Sequence, residues 1–391
     1  MSCRKSWPCS ASVDTTVAKI RVLIVDDSVV IRRLLSVYLA SDPQIEVVGT
    51  AANGEIGLAK IAQLNPDVVI LDIEMPVMDG LKTLAAIRKV YKKLSVIMFS
   101  TLTERGAVAT LDALALGASD YATKSITEGG VREHIATDLI PKIKTLCHCV
   151  TPPAKALSGY SGSAKPQLNS RKTSSNLPVE ILAIGTSTGG PNALSALFAG
   201  LSPKFPVPIV IVQHMPKIFT RLLAERLSAI SGFKVREGEP GALLTPGEVW
   251  VAPGGFHMDL VRTAEGVKLR THEGPLENSC RPAVDVLFRS VAELYRATAL
   301  GVILTGMGQD GLIGSQSIVD AGGRIIAQDE ASSVVWGMPG AVSNAGLPEK
   351  ILPLMDMANE INRIVAVRGR LQESATSISA TSRNTLQVQA I

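Results

Sequence analysis

The sequence predicts an α/β protein. It reads as a five-stranded parallel sheet joined by a linker to a second, doubly wound and mostly parallel α/β domain. Three observations carry this. Short apolar, β-branched runs alternate with segments whose apolar residues recur at helical spacing, the pattern of βα units covering both faces of a sheet. At 391 residues the chain exceeds one typical domain. A stretch from 145 to 177 has no apolar periodicity and is rich in Pro, Ser, Gly, Lys and Arg, so it divides the chain.

The first domain is read from Lys19 to Lys144. Ile20 to Val25 is a buried strand, and Ile31, Leu34, Leu35, Tyr38 and Leu39 mark a helix after it. Strands follow at Glu46 to Ala51, Val68 to Leu71, Ser95 to Phe99 and Asp120 to Ala122. The helices between them are Ile56 to Leu64, Leu81 to Val90 and Ala107 to Leu116, and a last helix closes the domain. Ligands of such sheets sit beyond the carboxyl ends of the strands. Asp26 and Asp27 end the first strand, Asp72 the third, Ser100 and Thr101 the fourth, and Lys124 follows the fifth. Three converging carboxylates repel unless a cation neutralises them, and hard oxygen donors suit Mg²⁺. A nearby lysine and hydroxyl suit a carboxylate that becomes an acyl phosphate. Any one of these Asp residues alone would be an ordinary turn or cap residue; the set at strand ends is not.

This half resembles the response-regulator receiver domain, which has a flavodoxin-like fold. The resemblance lies in Val25-Asp26-Asp27-Ser28, Leu71 to Leu81, Phe99-Ser100, Gly117 to Tyr121 and Thr123-Lys124. It implies that Asp72 accepts a phosphoryl group from a histidine kinase. It implies that Asp26, Asp27, Asp72 and the Glu74 carbonyl surround Mg²⁺, and that Ser100 and Lys124 sense the phosphate. Ser125 stands where the family usually has a proline.

In the second domain, strands are expected at Val179 to Ile184, Pro208 to Val212, Glu248 to Ala252, Ala299 to Leu304 and, last, Arg324 to Ala327. Helices are expected after Gly190 (Leu194, Leu197, Phe198), at Arg221 to Leu227, Pro282 to Tyr295 and Ile313 to Ala321, with a hairpin over Asp259 to Leu269. Three strands end in chemistry, at Ser187, His214 and Asp310. Ser187 lies in Gly185-Thr186-Ser187-Thr188-Gly189-Gly190, a glycine-flanked strand-to-helix turn. A serine hydroxyl needs a base, His214, and that imidazole needs a carboxylate, Asp310. The Thr188 N–H, beside the open N-terminus of the next helix, and the Met307 loop are candidate oxyanion donors. His257 is the rival base. Asp285 and Asp329 are rival acids, with Asp285 expected to face solvent or cap its helix. His272 reads as a surface or substrate-contacting residue. The order Ser…His…Asp differs from that of α/β-hydrolases.

With Gln213-His214-Met215-Pro216, Ala252 to Gly255, Arg281 to Phe288, Gly301 to Gly311 and Gly337-Met338-Pro339, the domain resembles the chemotaxis methylesterases of the CheB family. The resemblance implies hydrolysis of glutamate γ-methyl esters on chemoreceptor helices, deamidation of certain receptor glutamines, and a triad of Ser187, His214 and Asp310. It implies a chemotaxis-type kinase as phosphodonor and no cofactor for the esterase chemistry. The expected division is an extension at 1–18, a receiver at 19–144, a linker at 145–177, a methylesterase domain at 178–368 and a tail at 369–391.

Two rival readings stand beside this one. A phosphorylation-gated scaffold would not need all three triad members, and a hydrolase acting in a non-motility pathway shares every motif above. The net charge of +4 and the lack of a basic recognition helix argue against nucleic acid. No apolar run spans a bilayer and no signal peptide is evident, so a cytoplasmic protein is expected. The five cysteines are too scattered for a disulfide framework, and Cys147-His148-Cys149 lacks a second ligand pair for a metal.

Overall fold

The computed structural model describes residues 18–124, 130–148 and 177–366. The expected terminal extensions, most of the linker and Ser125 lie outside these residues.

In the first domain the elements are β1 (Ile20–Val25), α1 (Val29–Leu39), β2 (Ile45–Ala51), α2 (Gly54–Leu64), β3 (Val68–Asp72), α3 (Gly80–Val90), β4 (Ser95–Ser100), α4 (Glu104–Ala115) and β5 (Asp120–Thr123). After them come α5 (Gly130–His134), a π-helical turn (Ile135–Leu139) and α6 (Ile140–His148). The sheet order is β2-β1-β3-β4-β5, all parallel. Every residue of β3 is buried, as a strand covered on both faces requires. Helix α6 runs to His148, four residues into the segment read as linker, because Ile143 and Leu146 bury against the first sheet's core.

The second domain comprises β6 (Ile181–Thr186), α7 (Gly190–Gly200), β7 (Ile209–Gln213), α8 (Lys217–Ser231), β8 (Lys234–Glu237), β9 (Glu248–Val251), β10 (His257–Thr263) and β11 (Gly266–His272). It continues through α9 (Val284–Tyr295), β12 (Ala299–Ile303), α10 (Leu312–Asp320), β13 (Arg324–Gln328), α11 (Met338–Asn344) and β14 (Lys350–Leu352), and a helical run at 354–366 follows. Seven strands form a parallel sheet in the order β14-β13-β12-β6-β7-β9-β8, with β10 and β11 as a separate antiparallel hairpin. Two strands escaped the sequence reading. Strand β14, not β13, is the last, and β8 is an edge strand of alternating Lys, Val, Arg and Glu with no apolar run. The first strand starts at Ile181 rather than Val179.

The central strand β6 lies between β12 and β7, with Ile303 beside Gly185 and Gln213 beside Thr186. Chain order reverses direction at β6, which opens a crevice at that sheet edge. The residues following β12, β6 and β7 therefore converge there.

The first domain packs over this edge. Helix α4 lies against α7 and α8. The Tyr121 ring stacks on Phe219 with centroids 4.7 Å apart. One buried apolar cluster holds Leu111, Leu114 and Tyr121 of the first domain together with Leu194, Phe219 and Leu223 of the second. Asn192 donates to the Leu114 carbonyl at 2.6 Å, and Arg226 pairs with Asp112 at 2.7 Å.

Candidate active site and receiver site

Ser187 stands just past β6. Its N–H donates to the Thr305 carbonyl at 3.1 Å, and its own carbonyl accepts from Gln213 Nε2 at 2.9 Å. The same amide reaches the His214 carbonyl at 3.3 Å, so Gln213 ties the two strand ends together. Gly189 takes a left-handed φ of 77°, which lets the chain turn from strand into α7. A Cβ on Gly306 would lie 2.9 Å from the Ser187 Cβ, so only glycine lets the Thr305–Met307 loop approach this closely. Among the described residues, no hydrogen-bond acceptor meets the N–H of Thr188 or of Met307.

His214 Nε2 lies 2.8 Å from Asp310 Oδ2. Its Nδ1 faces Cys280 Sγ at 3.5 Å. Both imidazole nitrogens are thus engaged, and Ser187 Oγ makes no hydrogen bond to the ring. Burial opposes a charged imidazole, but the Asp310 hydrogen bond and the Cys280 sulfur outweigh it and push His214 up to about 10. Asp310 is 2% exposed. Burial would raise its pKa, yet the His214 bond and the N–H groups of Val284 and Asp285 hold it below the usual carboxylate range.

The first domain touches both candidate oxyanion donors. Thr188 Oγ1 donates to Asp120 Oδ2 at 2.8 Å, a buried contact. Thr145 on α6 donates to Met307 Sδ at 3.3 Å. A cavity of about 320 Å³ remains between the domains, lined by Tyr121, His134 and Lys142 on one side and His214, Cys280 and Arg281 on the other.

At the receiver edge, ligand oxygens of Asp26, Asp27 and Asp72 lie within 4.8 Å of one another. This set of hard donors fits Mg²⁺. Lys124 Nζ sits 2.8 Å from both Asp26 Oδ2 and Asp72 Oδ1. Burial raises Asp72 to about 6 despite that lysine. Ser100 is buried, and its hydroxyl bonds Thr110 Oγ1 at 2.8 Å rather than Asp72. The Glu74 side chain is exposed and faces Arg105 at 3.5 Å.

The comparisons with known proteins agree with this layout. The model of the response regulator receiver domain matches residues 22–136, and that of the CheB methylesterase matches 182–361. A protein-glutamate methylesterase/protein-glutamine glutaminase of Trichodesmium erythraeum is 54% identical over 353 residues, covering 88% of this chain and 99% of that protein. The chain belongs to the CheB methylesterase family. A relative of the same name from Nocardioides is 51% identical over 352 residues, covering 89% of this chain and 96% of its own length. The Thermotoga maritima CheB catalytic domain is 40% identical, with a TM-score of 0.47, over 48% of this chain and all of that one.

Within this CheB-type chain the rival residues have other work. His257 is buried, and its Nε2 donates to the Pro275 carbonyl at 2.8 Å. Asp329 accepts from the Ser332 N–H at 3.0 Å as a turn residue. His272 is half-exposed, 3.6 Å from Asp259. Asp285 corrects the reading made of it. It does not face solvent: it is 1% exposed and accepts from the Gly314 N–H at 2.6 Å. Its place on the inward face of α9, beside Val284 and Phe288, explains the burial. Reasoning from motifs passed over two residues here, Asn278 and Cys280. Cys280 immediately precedes Arg281 to Phe288, and that adjacency was the signal available for it.

Proposed function

We propose that this chain is a phosphorylation-gated protein-glutamate methylesterase and protein-glutamine glutaminase acting on chemoreceptors. The relatives bear this name. The observation that carries the reading is the convergence of Ser187, His214 and Asp310 past three adjacent strands of one sheet.

In this reading Ser187 Oγ attacks the γ-carbonyl carbon of a glutamyl methyl ester, and its proton passes to His214. The Thr188 and Met307 N–H groups take up the negative charge on the carbonyl oxygen. The intermediate collapses, and the departing methoxide takes the proton from His214 and leaves as methanol. Water then attacks the acyl-enzyme in the same way and frees glutamate. A glutamine substrate releases ammonia instead. Asp310 holds the imidazole and balances its charge.

The docked arrangement is the resting state of this cycle. His214 holds its proton and points at Cys280, so it must trade Cys280 for Ser187 before it can act as a base. Asp72 would accept the phosphoryl group. Asp26, Asp27 and Asp72, with the Glu74 carbonyl, would hold the Mg²⁺ that offsets the charge gathered there. A receiver rearranged around Lys124 and Ser100 binds the second domain less well, and the released population turns over. A histidine kinase of the chemotaxis type is the phosphodonor. The division into 19–144 and 178–368 and a cytoplasmic location belong to the same reading. Among the described residues no helix is long and apolar enough to cross a membrane.

The test is methanol release from methyl-labelled chemoreceptor membranes, with and without a small phosphodonor, for wild type, Ser187→Ala and Asp72→Ala. Release should require Ser187 and rise with the donor only when Asp72 is present. No release from folded wild type with several receptors would refute the reading.

A further inference from the structure

We propose that Asn278 is a positioning residue for the His214–Asp310 pair: its side-chain amide bridges Asp310 to the neighbouring buried Asp285 and holds Asp310 toward the imidazole. This rests on reading Ser187, His214 and Asp310 as the triad.

Asn278 Nδ2 donates to Asp310 Oδ1 at 3.0 Å and to Asp285 Oδ2 at 3.0 Å. Asp310 Oδ1 also accepts from the N–H groups of Asp285 and Gly311, at 3.1 and 3.0 Å. Its Oδ2 accepts from the Val284 N–H at 2.6 Å and faces His214. Two carboxylates buried side by side repel, and either can relieve the repulsion by taking a proton. An amide that gives one N–H to each satisfies both without adding charge. Without it, Asp310 keeps its three backbone donors, but its Oδ1 faces Asp285 with no donor between them, and the two carboxylates can share a proton at the expense of the bond to His214.

The backbone is shaped for this contact. Asn278 and Ser279 both have left-handed φ, 51° and 61°. Asn is among the few side chains that tolerate that region. Glu277 and Cys280 close the turn by exchanging backbone hydrogen bonds of 3.1 and 2.9 Å. Arg289 on α9 fastens it through Glu277, with Nη2 donating to Oε2 at 2.7 Å. The ionisable groups around Asp310 are His214, Asp285, Glu277, Arg289 and the Cys280 thiol.

Three variants separate the amide from the turn. Asn278→Gly keeps the backbone geometry and loses the amide. Ser279→Gly keeps the amide and relaxes the turn. Asn278→Asp nearly keeps the shape and replaces a donor with a third carboxylate. On methylated receptors, Asn278→Gly should lower kcat about tenfold with KM within about twofold, and Ser279→Gly should keep kcat within about twofold of wild type. In Asn278→Asp the extra negative charge favours the imidazolium. The His214 ring, followed by nitrogen NMR, should then titrate higher than in wild type by about one pH unit. The inference is overturned if Asn278→Gly keeps its kcat, if Ser279→Gly loses as much, or if the His214 titration of Asn278→Asp is unchanged. Wild type that releases no methanol would refute the proposed function instead, and the NMR titration would still decide the role of Asn278.

Discussion

The two sheets solve the same problem, how to terminate helices beside a functional strand edge, in opposite ways. In the first domain, helices α1 to α4 each begin with a side-chain cap: Ser28, Asn53, Asp79 and Thr103 accept from the N–H three residues on. In the second domain, α7 to α11 begin at Gly189, Pro216, Ala283, Gly311 and Gly337, and none has a side-chain cap. An uncapped helix start leaves donors for another use. At α9 they go to Asp310, which arrives from the far side of β12. At α7 the Gly190 N–H turns back to the Ser187 carbonyl at 2.8 Å and Pro191 has no N–H, so the unpaired donor beside Ser187 is the Thr188 N–H just before the helix. The receiver closes its helix starts with its own cap residues; the second domain lends the start of α9 to Asp310. The docked receiver then reaches the Ser187 turn through Asp120, which accepts from the Thr188 hydroxyl, and the Met307 loop through Thr145.

This comparison can be broken at either edge. The largest effect should come from Asp310→Asn. An amide there cannot balance the imidazolium, and methanol release should fall by about four orders of magnitude. Phosphorylation of Asp72 should be unaffected, and a matching loss of phosphoryl uptake would show that the two edges are not separable. Next is Thr188→Val, which keeps the side-chain shape and removes the hydroxyl that Asp120 holds. Leaving a buried acceptor such as the Asp120 oxygen without its partner costs about 1–3 kcal/mol. Docking should therefore weaken about 5- to 150-fold, raising methanol release without a phosphodonor. Unchanged basal release would remove Asp120 from the account.

A third test is confined to the receiver edge. Asp72 titrates near 6 because burial outweighs Lys124. Only its ionised form is a nucleophile. Followed by carbon NMR without Mg²⁺, the ionised fraction of Asp72 should fall about tenfold between pH 7 and pH 5, and added Mg²⁺ should move the midpoint down. A flat profile across that window would mean the carboxylate is not held up. The smallest effect belongs to Arg226→Ala. Arg226 and Asp112 are partly exposed, so their pairing contributes under about 1 kcal/mol. Basal release should rise by a few-fold at most, and less at high salt.

The same contrast explains what could be read in advance. Local caps and strand-end residues are contiguous with the runs that create them, so Asp26, Asp72, Ser187, His214 and Asp310 stood out. The expected neighbourhood of Ser187 and His214 also follows from chain order, since β7 comes directly after α7 and pairs with β6. Long-range partners carry no such signal. Asp285 lies among Val284, Val286 and Leu287, where a lone carboxylate in a helix's first turn reads as a cap, and the Gly314 N–H and Asn278 amide that it accepts from belong to other segments of the fold. Asn278 sits in a polar turn that periodicity passes over. Ser100 was legible as a strand-end hydroxyl, but its bond to Thr110, in the second turn of α4, was not. Strand β14 is three residues long, too short for its Ile351-Leu352 pair to show a period.

The central claim is that the docked receiver closes the Ser187 edge and that Asp72 controls the docking. The most direct measurement is the rate at which a fluorophosphonate labels Ser187 in the full chain, before and after adding beryllofluoride with Mg²⁺ as a phosphoryl mimic. Labelling should accelerate at least tenfold in wild type and stay constant in Asp72→Ala. A rate in wild type that ignores the mimic, or one that rises equally without Asp72, would contradict the account.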